Sequence, residues 1–372
     1  MNFFVDKKPV RELESGKIVQ QTLFWANVKK QQGIRPVAFH FEVPGELLFP
    51  DDTGHNKVSN DLLVLLRPVD REYCYAYVPY GPKIQPAFEN YGLFLEELSE
   101  RLKAYLPGKC ILIRYDLPWE NIWAREEDYY DEAGNWTGPP SDMSQEFRLN
   151  FNTRNKNLFK SYSNNLPANT IFLNLRHGNE DLLERMKSKT RYNIRLSGKK
   201  GIRVRDYGME HLKDWYEMYR ETVERNRITL HGRKYFYNVL AAGMSDEVPV
   251  DTHLLMADYN GEYLAALMLV LSGKRGTYLY GASSGKMRNR MATYALQWEA
   301  INMARTAGCE EYDMFGIAPN ADPSHPLHGL YRFKTGFGGR VYHRMGCWDY
   351  PLIHELYRTF RASEVNSQSY PY

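Results

Sequence analysis

One ordered set of elements recurs in the two halves of this 372-residue chain, and that recurrence limits its fold more than any other feature. In the first half, the spacing of apolar residues predicts a helix over residues 17–32, then strand-like runs at 36–43, 62–69 and 73–78. A second helix is predicted at about 88–106, with Tyr91, Phe94, Leu95, Leu98, Leu102 and Tyr105 on one face. It stops at Pro107-Gly108 and leads into a strand at 111–115. The second half has a helix with Leu212, Trp215, Tyr216, Tyr219, Thr222 and Val223 in a buried stripe, and a shorter helix over 235–242. Strands follow at 252–258 and 263–271, joined at Asn260-Gly261, a pair that tolerates the positive φ of a tight hairpin. A third strand at 277–281, a long helix over 291–307 ending at Gly308, and a strand at 311–315 complete the set.

Helix, antiparallel meander, helix, strand is the layout of the N-acetyltransferase (GNAT) fold. Its repetition predicts an α/β (α+β) protein of two tandem GNAT-like domains, with mixed, mostly antiparallel sheets flanked by helices. The length agrees, since one core rarely grows beyond roughly 250–300 residues. The expected division is 1–168, with 345–372 packing back onto it, and 169–344. Acyl-CoA enzymes of this fold hold the cofactor pyrophosphate on a Gly-rich turn opening the long helix. Here that junction reads SGKMRNRMATYAL and has no glycine after Gly285. Acetyl-CoA is therefore a poor expectation as donor, and no cofactor is expected.

The formal charge of +3 identifies no nucleic-acid binder by itself; clustering decides. KSKTRYNIRLSGKKGIRVR, residues 187–205, carries Lys187, Lys189, Arg191, Arg195, Lys199, Lys200, Arg203 and Arg205 with no acid among them. Its first part is expected to continue a helix begun near Glu180, with Leu182, Met186, Thr190 and Ile194 buried and the cations fanned toward solvent. Such a face either meets a phosphate backbone or is an ordinary solvated basic surface.

Cys74, Cys110, Cys309 and Cys347 lie in or beside apolar stretches without metal or redox spacing, and read as reduced core residues. No apolar run reaches the roughly 18–20 residues of a membrane span, and MNFFVDKKPV has no hydrophobic signal core, so a cytoplasmic protein is expected. Asp322, His325 and His328 in ADPSHPLHG invite a metal reading, but the prolines disfavour the turn that would join the imidazoles, and no metal is expected. The acidic stretch 126–132 reads as an exposed loop. The sequence contains no Walker loop.

SKTRYNIRLSGKKGIRV resembles the Fem family pattern in which a basic helix carrying K-x-R-x-N-I-R leads into a K-K-G turn and strand. LPANTIFLNL, ETVERNRITLHGRKYF, TYLYGASS and YALQWEAI agree in order, with Asn174 where an Asp is more usual. The most specific match is the F-K-x-G-F-G run in GLYRFKTGFGG, after Tyr312, Asp313 and Gly316 of a Y-D-x-x-G strand end. Likeness is good from about 166 to 339; LFWANVKK and LIRYD are the main points of contact before that. The resemblance implies transfer of an amino acid from aminoacyl-tRNA to the side-chain amine of a peptidoglycan stem peptide. FemA and FemB carry a long helical arm, whereas here His231 runs into a short helix and on to strands. The arm-less, FemX-like type suggests a soluble UDP-linked muropeptide acceptor over a lipid-linked precursor.

Attack of an amine on an ester needs alignment and stabilisation of the developing oxyanion. The resemblance puts Lys334 near the reacting ester with Phe333 supporting it; as a residue type, Lys334 also reads as an ordinary exposed lysine. Lys29 matches a phosphate-binding lysine, and His231 or Arg233 stands where the family often has Arg, though a helix lysine is as often simply solvated. Asp116, expected to end the strand LIRYD, matches an acidic cleft residue that accepts the amine's proton or holds the ammonium, binding being the favoured role; it also fits a turn cap. Tyr278 and Tyr280, as alternate strand residues, are expected on one side, lining an acceptor channel or a core. Lys189, Arg191, Arg195, Lys199 and Lys200 would hold the tRNA. Two rival readings remain open: a tandem acyltransferase using acyl-CoA, and a non-catalytic tRNA-binding protein.

Overall fold

The structure is a computed structural model and describes residues 3–49, 56–226, 230–245 and 248–367. The chain forms two compact units. One comprises Met1–Glu14, Gln20–Ala168 and His343–Tyr372, the other Ser15–Val19 and Asn169–Tyr342.

In chain order the first unit has β1 (Phe4–Lys8), α1 (Leu23–Lys30), β2 (Arg35–Pro44), α2 (Gly45–Leu48), β3 (Lys57–Pro68), β4 (Cys74–Val78), α3 (Tyr91–Lys103), β5 (Cys110–Glu120), α4 (Asp142–Leu149) and β6 (Phe159–Lys160). The second follows with β7 (Asn169–Asn174), α5 (Asn179–Arg185), α6 (Ser188–Lys199), β8 (Arg203–Tyr207), α7 (Leu212–Asn226), α8 (Arg233–Gly243), β9 (Val250–Tyr259), β10 (Glu262–Ser272), β11 (Arg275–Ser283), α9 (Ala292–Thr306), β12 (Glu311–Asp313) and α10 (His328–Thr335). The chain closes with β13 (Arg340–Pro351) and α11 (His354–Ser367).

Both sheets obey one plan. β1 to β4 form an antiparallel meander, α3 crosses over, and β5 returns parallel to β4. β8 to β11 form the matching meander, α9 crosses over, and β12 lies parallel to β11. Each parallel strand then takes an antiparallel neighbour, β13 beside β5 and β7 beside β12. Alternation drives the layering. Phe39, Phe41, Leu62 and Val64 pack with Phe94, Leu95 and Leu98 of α3 in one core, and Leu267, Leu269 and Leu271 pack with Leu296, Ala300 and Ile301 of α9 in the other. Asn260 and Gly261 adopt φ of 51° and 83°, as their hairpin requires.

Three local expectations are corrected. The first helix starts at Leu23 instead of residue 17, because the buried Gln21 is bonded to Leu63 in both directions and to the Pro79 carbonyl, holding 19–21 as a 3₁₀ turn. The basic helix is broken: α5 ends at Arg185, Met186 is extended (ψ 150°), and α6 begins at Ser188. The break is held where the Lys187 N–H donates to the Gly336 carbonyl (2.9 Å). β5 continues to Glu120, so Asp116 lies inside a strand and caps no turn.

Candidate functional site

Lys334 occupies the last turn of α10 and is 5% exposed, so it is no ordinary surface lysine. Its Nζ donates to three consecutive carbonyls, those of Met314 (2.7 Å), Phe315 (3.2 Å) and Gly316 (2.8 Å). The Y-D-x-x-G segment builds that cradle. The Asp313 carboxylate accepts from the Thr170 hydroxyl and from the Phe315 N–H (2.8 Å), and Phe315 turns left-handed at φ 58°. Two motifs separated along the chain are therefore one structure. Burial lowers the Lys334 pKa to about 7, against the pull of Asp313. Phe333 stacks edge-on with Tyr294 and Phe337 beside it.

The Lys334 ammonium lies 4.9 Å from the Tyr278 ring centroid. Tyr280 does not share that face. Leu279 is an extra residue on β11: Tyr278 pairs with Leu269, Tyr280 with the adjacent Met268, and the bulge between them reverses the alternation. Tyr278 thus joins the core under α9. Its hydroxyl occupies the place that a Cβ on Gly281 would take, 1.8 Å away. Tyr280 instead bonds the Tyr235 hydroxyl and packs on Phe236. His231 lies over Tyr235 (4.8 Å), and Arg233 is exposed at the start of α8.

In the first unit Asp116 is fully buried. Its Oδ2 accepts from the Tyr77 hydroxyl (2.9 Å) and the Leu166 N–H (3.0 Å). Burial raises its pKa to about 6, opposed by bonds from Tyr77, Cys347 and Leu166 and by the charge of Arg344. The Tyr77 ring also lies 5.6 Å from the Arg67 guanidinium. Lys29 is half-buried, 4.5 Å from the Trp25 ring, and donates to Gln32 Oε1 (3.0 Å). Burial, then the charge of Arg67, lowers its pKa to about 8. The sequence reading missed both Arg67, whose charge acts on Lys29, and Tyr77, which bonds Asp116. Arg67 had a signal, as a lone cation ending an apolar strand.

The five basic-helix residues divide. Lys189, Arg195 and Lys199 are exposed, as are Lys187, Arg203 and Arg205 nearby. Arg191 instead donates to the Leu183, Glu184 and Met186 carbonyls at the end of α5, and Lys200 donates to Asn289 O (2.5 Å). A cleft beside the segment is lined by Arg203, Arg205, Tyr207, Asp258, Asn260, Gly261 and Tyr263.

Four amides of the loop entering α9 are engaged. The Gly285 N–H meets the Glu221 carboxylate, Lys286 N–H meets Ser284 Oγ, and Arg290 and Met291 N–H meet the Met287 and Arg288 carbonyls. A pyrophosphate would meet the Glu221 carboxylate there. Asp322 binds Ser324, and His325 Nδ1 accepts from the Leu327 N–H (3.0 Å). Among the described residues no three His, Cys, Asp or Glu side chains converge as metal ligands, and no helix is long and apolar enough to cross a membrane. The 126–132 stretch is mainly exposed, and the four cysteines are free.

This architecture defines a tandem GNAT-like protein. It overlays a crystal structure of FemX with a TM-score of 0.69 at 20% identity, covering 96% of this chain and all of that one. A tandem GNAT protein from the clavulanic acid biosynthesis pathway gives 0.50 at 10% identity, covering 94% and 98%. The chain belongs to the FemAB family, whose model matches residues 14–247 and 251–364. A lipid II:glycine glycyltransferase of Staphylococcus haemolyticus is 24% identical over 253 residues, 52% of this chain and 60% of the relative. One from Staphylococcus saprophyticus is 36% identical over 98 residues, 26% of this chain and 24% of the relative. The chain thus spans less than two thirds of the length of these relatives.

Proposed function

We propose that this protein is an aminoacyltransferase that moves an amino acid from aminoacyl-tRNA to the side-chain amine of a peptidoglycan precursor. The observation that carries the reading is the Lys334 ammonium, buried on three main-chain carbonyls within the span that the family model matches. A cation held in a fixed, water-poor place stabilises an oxyanion without paying reorganisation at the moment of reaction. Lys334 supplies that charge, and Tyr278 and Phe333 fix its surroundings.

Lys189, Arg195 and Lys199 hold the tRNA backbone, while Arg191 and Lys200 shape the helix that presents them. Lys29, with Arg67, serves the acceptor's phosphates, and His231 or Arg233 is a further candidate for that role. Asp116, bonded to Tyr77, attracts the acceptor's ammonium. The name of the relatives favours a lipid-linked acceptor over the UDP-linked one that the missing arm suggested. Acyl-CoA is disfavoured by Glu221 and the engaged amides at α9.

The test incubates purified protein with a pool of charged tRNAs and either a UDP-linked or a lipid-linked muropeptide, and weighs the products. A mass gain of one aminoacyl residue on an acceptor is the expected result. Gain from acetyl-CoA alone, or tRNA binding with no product on either acceptor, would overturn the reading.

A further inference from the structure

α4 turns one side inward and leaves the other uncovered. Leu149 enters the first unit's core, and Gln145 is buried with its Nε2 donating to Pro140 O (2.8 Å). Both ends are fixed: Ser141 Oγ accepts from the Ser144 N–H, and Asn150 bonds Leu158 in both directions. Two residues round the helix from Gln145 and Leu149, Met143 and Phe147 share a face at four-residue spacing, and Phe151 follows them just past the C-cap Asn150. They are 78%, 73% and 70% exposed, among the barest large apolar side chains in the described protein, and the two Phe rings touch edge-on at 6.4 Å.

A rigid helix with a bare apolar ridge is an interaction surface. Its rim identifies the partner. From Asp142 to Lys160 the chain carries four cations and two acids. Glu146 is occupied by the Lys160 N–H and Arg361, and Arg154 pairs at its edge with Glu97 (3.7 Å), while Arg148, Arg154 and Lys156 are all exposed. Arg148 stacks over Phe88 at 4.8 Å, which fixes its charge beside the ridge. Apolar side chains at the centre suit no phosphate backbone, and a second copy of this face would oppose cation to cation. An anionic bilayer satisfies both parts, taking the aromatics into the headgroup boundary and the cations onto lipid phosphates.

We propose that Met143, Phe147 and Phe151, with Arg148, Arg154 and Lys156 around them, dock this protein on the surface of an anionic phospholipid membrane. The ridge enters the interface as an amphipathic helix does, with no segment crossing the bilayer. Attraction scales with surface charge, so the contact weakens with salt and on neutral lipid.

The test is co-sedimentation of the full chain with vesicles of phosphatidylcholine alone or mixed equally with phosphatidylglycerol. No acceptor or tRNA is present, so the outcome is separate from the transferase reading. Binding to the anionic vesicles is expected, falling at least tenfold in the variant M143S/F147S/F151S and several-fold in R154Q/K156Q. Melting curves matching the parent protein's would show that these exposed substitutions leave the fold intact. Absence of binding to anionic vesicles, or equal binding by both variants and the parent, would overturn the proposal. So would a solution dimer that the triple variant disperses, since the ridge would then be an interface between copies.

Discussion

The Lys334 ammonium donates to the carbonyl of Gly316 across 2.8 Å, joining the helix that carries F-K-x-G-F-G to the strand end that carries Y-D-x-x-G. With Met314 and Phe315 also accepting, all three of its protons are placed.

Removing that charge should be costly. Lys334→Ala is expected to lower kcat by on the order of 100-fold or more, as loss of preorganised charge stabilisation of an oxyanion does. Melting temperature serves as control, and turnover equal to the parent's would take Lys334 out of the reaction.

The two shifted groups set a narrow pH window. The proposed roles need Lys334 protonated, so activity is expected to fall as pH rises through about 7, and Asp116 ionised, so activity is expected to rise through about 6. A bell centred between those values is expected, its alkaline limb missing in the residual activity of Lys334→Ala. Stability follows the same linkage. The folded pKa of Asp116 lies above its ordinary 3.8, so the folded state holds the extra proton between about 4 and 6 and loses stability as pH rises through that window. Relative to Asp116→Asn, the parent should lose about 3 kcal/mol at most between pH 4 and 7, from roughly 1.4 kcal/mol per unit. Parallel stability curves from urea melts would contradict this.

The basic segment should separate into two classes. The variant K189Q/R195Q/K199Q is expected to weaken charged-tRNA binding and flatten its salt dependence by roughly 0.9 in slope for each phosphate no longer neutralised. Arg191→Ala should instead destabilise the fold by about 1.5–3 kcal/mol, since it strips charged hydrogen bonds from the end of α5. An unaltered salt slope in the triple variant would remove tRNA from that face.

Gly281→Ala tests the placement of Tyr278, because the added Cβ falls on the phenol oxygen. A loss of about 1–3 kcal/mol is expected from overpacking, and a smaller one when Tyr278 is already Ala. Equal costs in both backgrounds, measured by denaturant melts, would show that the two positions are uncoupled.

The long elements were legible because packing stamps a period on them. α3 and α9 carry their apolar stripes in the sequence, and Asn260-Gly261 marks its own hairpin. β1 was missed because FVDKK has one buried residue, Val5, among charged neighbours, and an edge strand of that kind leaves no alternation to read. The bulge at Leu279 is invisible too: an extra leucine in an apolar strand has no compositional mark, yet it sends Tyr280 to the opposite face from Tyr278. Nor does a tally of cations reveal acceptors. Arg191 and Lys200 look like their neighbours until the carbonyls of 183–186 and Asn289 are in view. The α5–α6 break, at Met186-Lys187 with no Gly or Pro, comes from the contact with Gly336.

The cradle under Lys334 is made of peptide oxygens, which every amino acid supplies alike. The left-handed turn of the main chain, and not the identity of the side chains at Met314 or Phe315, therefore decides where the charge stands.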